Sequence, residues 1–149
     1  MVKKNSAGKP LYREDLKQSI DELTDIQREM LAFALSGEQP ESFQLDKIYP
    51  VSISSLNELR GLEPDQAYEE LRYAASTLFD KFVMIRGGFE AETEEDIEFY
   101  RWLSQLRYSD KAYSVGLIFS SMVRQYLTDI QEILQKKHEP EAQKELELF

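Results

Sequence analysis

Pro64–Phe82 reads PDQAYEELRYAASTLFDKF. Ala67, Tyr68, Leu71, Ala74, Ala75, Leu78, Phe79 and Phe82 recur at helical spacing, which predicts a long amphipathic helix with one stripe turned to a core. Pro64 suits the first turn, because the amide proton it lacks would have no intrahelical partner there. Upstream, Gly61 can take the left-handed conformation that ends a helix, and Ser55-Leu56-Asn57-Glu58 has the pattern of a capping box. A short helix of about two turns from Ser54 or Ser55 to Arg60 is therefore expected, joined to the long one by a glycine-containing turn. That is a helix-turn-helix, in which the long element is the one that DNA-binding examples insert into a groove.

Working outward, Val83-Met84-Ile85 reads as a strand leading into a hairpin through Gly87 and Gly88, followed by the acidic loop Glu90–Glu98. Across Phe99–Tyr108, Tyr100, Trp102, Leu106 and Tyr108 alternate with Arg101, Gln105 and Arg107; Leu103 breaks the pattern on the polar side. Ser109-Asp110-Lys111 is a turn into Ala112–Phe119, where Val115, Leu117 and Phe119 share a face. Two such strands form a wing. A last helix, capped by Ser120 or Ser121, carries Met122, Val123, Tyr126, Leu127, Ile130, Ile133 and Leu134 on one side, with Lys136 and Lys137 at the end where positive charge offsets the helix dipole.

Toward the N-terminus, Thr24-Asp25-Ile26-Gln27 fits a capping box, and Ile26, Met30, Leu31, Phe33, Ala34 and Leu35 give the helix behind it a buried face, stopped by Gly37. Lys47–Ile53 alternates as a short strand that Pro50 confines to an edge or bulge. The expected architecture is a helix-rich α+β winged helix: residues 1–22 a flexible arm and lead-in helix, 23–137 a single winged-helix domain, and 138–149 an acidic tail.

Bulk composition narrows the function. The 149 residues suffice for one packed domain, and a net charge of −10 opposes attraction of the whole chain to nucleic acid, so DNA contact would need a local basic patch. With no cysteine there is no disulfide scaffold and no thiolate metal site. His138 is the single histidine, and no Gly-rich phosphate loop ends in Lys-Ser or Lys-Thr, so no catalytic residue, cofactor or metal is expected. No stretch approaches the roughly 20 apolar residues of a membrane span, and a cytoplasmic protein is expected.

The order helix, strand, helix, turn, long helix, hairpin, helix resembles the N-terminal winged-helix domain of plasmid replication initiator (Rep) proteins. The stretches that carry the resemblance are Leu23–Ser36 (LTDIQREMLAFALS), Val51–Ile85 (VSISSLNELRGLEPDQAYEELRYAASTLFDKFVMI) and Tyr100–Leu127 (within it WLSQLRYSDKAYSVGLIFSSMVRQYL). The resemblance implies a role at an iteron-type origin, binding direct repeats as a monomer and dimerising to repress its own gene. It also implies a second winged-helix domain that makes the main base-specific contacts. This chain has no room for one, so an isolated domain, a truncated relative or one partner of a divided system is expected. Its expected partners are plasmid origin DNA, contacted weakly or indirectly, a second copy in a homodimer, and a full-length initiator or other replication protein.

The residues divide accordingly. On the exposed side of the long helix Asp65, Glu69, Glu70 and Asp80 outnumber Arg72 and Lys81, which favours a solvated or partner-facing surface over groove insertion. DNA-backbone candidates are Arg86 at the start of the wing, Arg101 and Arg107 along the hairpin, expected on one strand face, and Lys111 at its turn, with Lys3, Lys4, Lys9 and Arg13 of the arm behind them. The bland alternative for each is an ordinary solvent-facing charge. Tyr100, Trp102, Tyr108 and Phe119 are candidates for the core or a dimer interface; Tyr100, Trp102, Tyr108 and Tyr113 also have the composition of a base-stacking platform. Three functions stay open: an initiator domain acting by dimerisation and weak phosphate contact, an interaction module that regulates a full-length initiator without touching DNA, and a winged-helix transcriptional repressor.

Overall fold

A computed structural model describes residues 11–89 and 91–137. The expectations for the N-terminal arm with Lys3, Lys4 and Lys9, for Glu90, and for the tail with His138 fall outside those residues.

Among the described residues five α-helices and five strands follow one another: α1 Leu11–Asp21, α2 Asp25–Leu35, β1 Tyr49–Ser52, α3 Pro64–Phe79, β2 Phe82–Arg86, β3 Ile97–Arg101, β4 Leu103–Ser109, β5 Ser114–Phe119, α4 Ser121–Gln125 and α5 Leu127–Lys137. The strands make a three-stranded antiparallel sheet in the order β1-β5-β4 and a separate two-stranded sheet, β2-β3. The β4–β5 hairpin is the wing. Pro50 lies in the edge strand β1, where its missing amide proton is tolerated. One core joins Leu16 and Ile20 of α1, Met30 and Leu31 of α2, Leu71 and Leu78 of α3, Ile130 and Leu134 of α5, and Val115 and Leu117 of β5.

The α2 start forms as its sequence dictates. The Gln27 amide donates to Thr24 Oγ1, and the Thr24 amide donates to Gln27 Oε1. Gln27 is fully buried, and its side-chain amide also donates to Ala74 O and Thr77 Oγ1 of α3 while its oxygen accepts from Lys81 Nζ. One capping residue thereby becomes the polar tie between α2 and α3. Lys81, counted from sequence on the exposed side of the long helix, is drawn into this tie, and burial lowers its pKa.

Several local expectations need correction. The short helix before Gly61 is replaced by two 3-10 turns, Ile53–Ser55 and Asn57–Leu59. Leu56 between them is extended, at φ −115° and ψ 129°, because that conformation turns its side chain into the core at 1% exposure. The Ser55 cap also fails to form: Ser55 Oγ accepts from the Ser52 amide, and the Asn57 and Glu58 amides donate instead to the Glu29 carboxylate of α2. Gly61, at φ +86°, and Pro64, in the first turn of α3, stand as expected.

The long helix ends at Phe79, three residues earlier than its apolar stripe suggests. Phe82 opens β2, where Val83 and Ile85 turn inward and strand alternation drives Phe82 out to 52% exposure. Phe99–Tyr108, expected as one strand, is broken at Trp102. The break and a bulge between Leu103 and Gln105 let Trp102 and Leu103 be fully buried side by side, which strict alternation forbids.

The last helix is likewise split at Tyr126. Its phenol is buried and accepts the Phe89 amide, and its ring stacks on Phe89 at 4.8 Å with Tyr12 of α1 at 5.0 Å. Ser120 holds the N-cap position of α4, but its hydroxyl accepts no helix amide.

This aromatic cluster ties α1 to α5, where Tyr12 donates to Asp129 and Arg13 pairs with Asp129 and Glu132. Burial, and then the adjacent Asp129 carboxylate, pushes the Tyr12 phenol from 10.0 up to about 12. Burial and the hydrogen bond to Asp110 do the same for Tyr68, also to about 12. A pKa raised in the folded state means that the fold binds more protons than the unfolded chain between pH 10 and 12. The associated stability is complete below that window and is lost as pH rises through it. The melting temperature should therefore fall across pH 10 to 12, in step with tyrosinate absorbance. A flat profile would contradict the burial of these phenols.

Candidate nucleic-acid interface

In a helix-turn-helix the DNA-facing surface is the exposed side of α3, flanked here by the wing. That side carries Asp65, Glu69, Glu70, Arg72 and Tyr73. Its one base is engaged on aromatic rings: the Arg72 guanidinium lies 4.6 Å from the Tyr108 ring centre on β4 and 5.7 Å from that of Tyr68. Asp65 accepts the Tyr113 hydroxyl at 2.9 Å, and Tyr68 donates to Asp110 at 2.7 Å, so the helix-to-wing seam is built from phenol–carboxylate pairs. Carboxylates at this seam oppose a phosphate backbone rather than attract it.

The four basic candidates are scattered. Arg86 grips Asp15 of α1 through its backbone amide, Nε and Nη2, at 2.9 to 3.0 Å, and this partner raises its pKa. Arg101 donates to Phe79 O and lies over the Phe79 and Phe82 rings. Because Trp102 breaks the strand, Arg101 belongs to the β2–β3 sheet and Arg107 to the wing, and the expected shared strand face does not exist. Arg107 and Lys111 are exposed and form no ion pair among the described residues. Lys111 sits in the 3-10 turn Asp110–Ala112 at the wing tip, which Tyr113 closes with a left-handed φ of 49°.

The aromatic candidates part in the same way. Trp102 is completely buried, and Phe119 packs in the core against Tyr49 at 5.2 Å. Tyr100 is half-buried and donates to Glu98 Oε2, while Tyr108 is exposed under Arg72. They do not form a common platform.

A second surface was not singled out from sequence. On the outer face of the β2–β3 sheet, Phe82, Met84, Ile97 and Phe99 cluster through the pairs Met84↔Phe99, Phe82↔Arg101 and Arg86↔Ile97. Phe99 is 67% exposed, Ile97 56% and Phe82 52%. The signal was present in the alternation: once Tyr100 faces inward, Ile97, Phe99 and Arg101 face out.

Among the described residues no group of His, Asp and Glu is placed to hold a metal ion, and no helix is long and apolar enough to cross a membrane.

A family model described as "Initiator Replication protein, WH1" matches residues 12–140. No curated protein matches the chain. Among solved structures, the MSBI1.176 WH1 domain, a replication protein isolated from a multiple sclerosis patient, is similar at 20% identity and a TM-score of 0.68, over 85% of this chain and 96% of that one. The Pi initiator protein, solved in complex with iteron DNA, is similar at 18% identity and a TM-score of 0.60, over 84% of this chain and 50% of that one. At these identities the likeness is one of fold, and the chain spans about half the length of the Pi initiator it matches.

Proposed function

Since this chain belongs to the initiator replication protein family as a WH1 domain, we propose that it serves plasmid replication initiation by pairing with a second copy and by weak contact with the phosphates of origin DNA. The observation that carries this reading is the division of its surface. The apolar outer face of β2–β3 suits self-association, and of the four basic candidates the two left unengaged among the described residues, Arg107 and Lys111, lie on the wing rather than on α3. Arg86 and Arg101 are held in place by Asp15 and by the Phe79–Phe82 rings, and serve the sheet more than DNA. The role is non-catalytic binding.

The test is a titration of iteron-bearing duplex at low and at physiological salt. Binding through a few phosphates is weak and falls steeply with salt, with a slope of about −0.9 per phosphate neutralised. Arg107→Glu with Lys111→Glu should weaken it by more than about tenfold and flatten the slope by about two phosphates, leaving self-association intact. No binding at low salt would instead support the second reading, an interaction module that regulates a full-length initiator. The acidic face of α3 favours that alternative. A repressor that inserts α3 into an operator is the least compatible with this face.

A further inference from the structure

Between α3 and β4 lies a cleft of about 450 Å³, lined by Asp65, Tyr68, Glu69, Arg72, Tyr73 and Tyr108. Its chemistry is unlike that of a DNA-reading groove. Two carboxylates stand on successive turns of α3, and the exposed tyrosine rings beside them include Tyr73 at 72% and Tyr108 at 44% exposure. Glu69 forms no ion pair among the described residues, and Asp65 accepts only a neutral phenol. The cleft already shows what it takes: the Arg72 guanidinium rests on two of its rings.

We propose that this cleft is a protein-docking site that receives the lysine and arginine side chains of a basic partner segment. The partner's ammonium or guanidinium groups would pair with Asp65 and Glu69, and their aliphatic stems would lie on Tyr73 and Tyr108. Charge complementarity selects the occupant. Carboxylates beside aromatic faces attract a cation twice, by Coulomb attraction and by the ring quadrupole, and repel phosphate. The face that a helix-turn-helix normally gives to DNA is thereby free for a protein that itself binds DNA.

The probe is an acetylated, amidated hexapeptide of alternating lysine and arginine, titrated into the full chain and followed by amide and tyrosine-ring NMR shifts. Shifts should cluster on Asp65–Ser76 and Tyr108. Asp65→Asn with Glu69→Gln keeps the side-chain shapes and an acceptor for the Tyr113 hydroxyl, and should weaken binding about tenfold. Glu94→Gln with Glu95→Gln removes the same charge from the loop before β3 and should change it less than about twofold. Tyr73→Ala, at a position too exposed to support the fold, should cost about threefold or more. Two results would overturn the proposal: shifts spread over every acidic surface or confined to residues 92–96, or equal losses in the two double variants. Neither of these touches the readouts for self-association or for the wing, so this site can fail while the proposed function stands.

Discussion

Trp102→Ala should lower the unfolding free energy by about 3–5 kcal/mol, enough to leave a domain of this size barely folded. The indole is fully buried at the junction of the two sheets, where the chain leaves β3 and enters β4. The Trp102 carbonyl accepts the Ser120 amide at 3.1 Å, so the same residue also fixes the entry to α4. A cavity there would loosen three elements at once. The loss is one of packing, because the indole N–H is buried without a hydrogen-bond partner among the described residues. Removing it strands no acceptor. Trp102→Phe should therefore cost much less, roughly 1–2 kcal/mol, since it keeps most of the volume and relieves an unpaired donor. Urea denaturation followed by circular dichroism measures both; Trp102 is the sole tryptophan, so fluorescence would vanish with it. An unchanged midpoint for the alanine variant would show that the indole is not a core element.

In the proposed self-association, Phe99→Asp should separate the two copies, raising the dissociation constant by about 100-fold or more. Phe99 is the most exposed of the apolar side chains on the β2–β3 face and stands opposite Met84 near its centre. In a symmetric pair each such residue meets the same patch twice, so one substitution buries two unpaired carboxylates. The folded monomer has little to lose, because this side of the sheet faces solvent. Sedimentation equilibrium should show half the mass with an unaltered melting curve. A wild-type chain that is monomeric at high concentration would overturn self-association, and a variant that remains dimeric would move the interface elsewhere. Arg101 lies over Phe82 on the same face, and its replacement should weaken association less than Phe99→Asp does.

Local patterns were legible where one residue's chemistry decides one contact. The Thr24–Gln27 box, the left-handed Gly61, Pro64 at the head of α3 and Pro50 on an edge strand all follow from capping, steric freedom and a missing donor. Periodicity located α2, most of α3 and the second wing strand, β5. It failed where side chains far apart in the chain compete for the core. Leu56 abandons a helix to reach it, Leu103 enters against its strand alternation, and Tyr126 interrupts a helix to meet Phe89. Glu29 likewise caps a turn 28 residues away, which no local motif reveals.

The candidate interface divides along the same line. The acidic balance of α3 is a property of composition, and it opposes groove insertion whatever the fold around it. Which cations remain free is a property of packing: Asp15 from α1 claims Arg86, and the break at Trp102 sends Arg101 and Arg107 to different sheets. By itself, then, the sequence determined the winged-helix order and the sign of the charge on α3, because period and formal charge are carried by the chain. Tertiary structure alone decided the apolar β2–β3 face, the aromatic-acid cleft and the freedom of Arg107 and Lys111. Those depend on which distant side chains are brought together, and burial settles that only when the whole core closes.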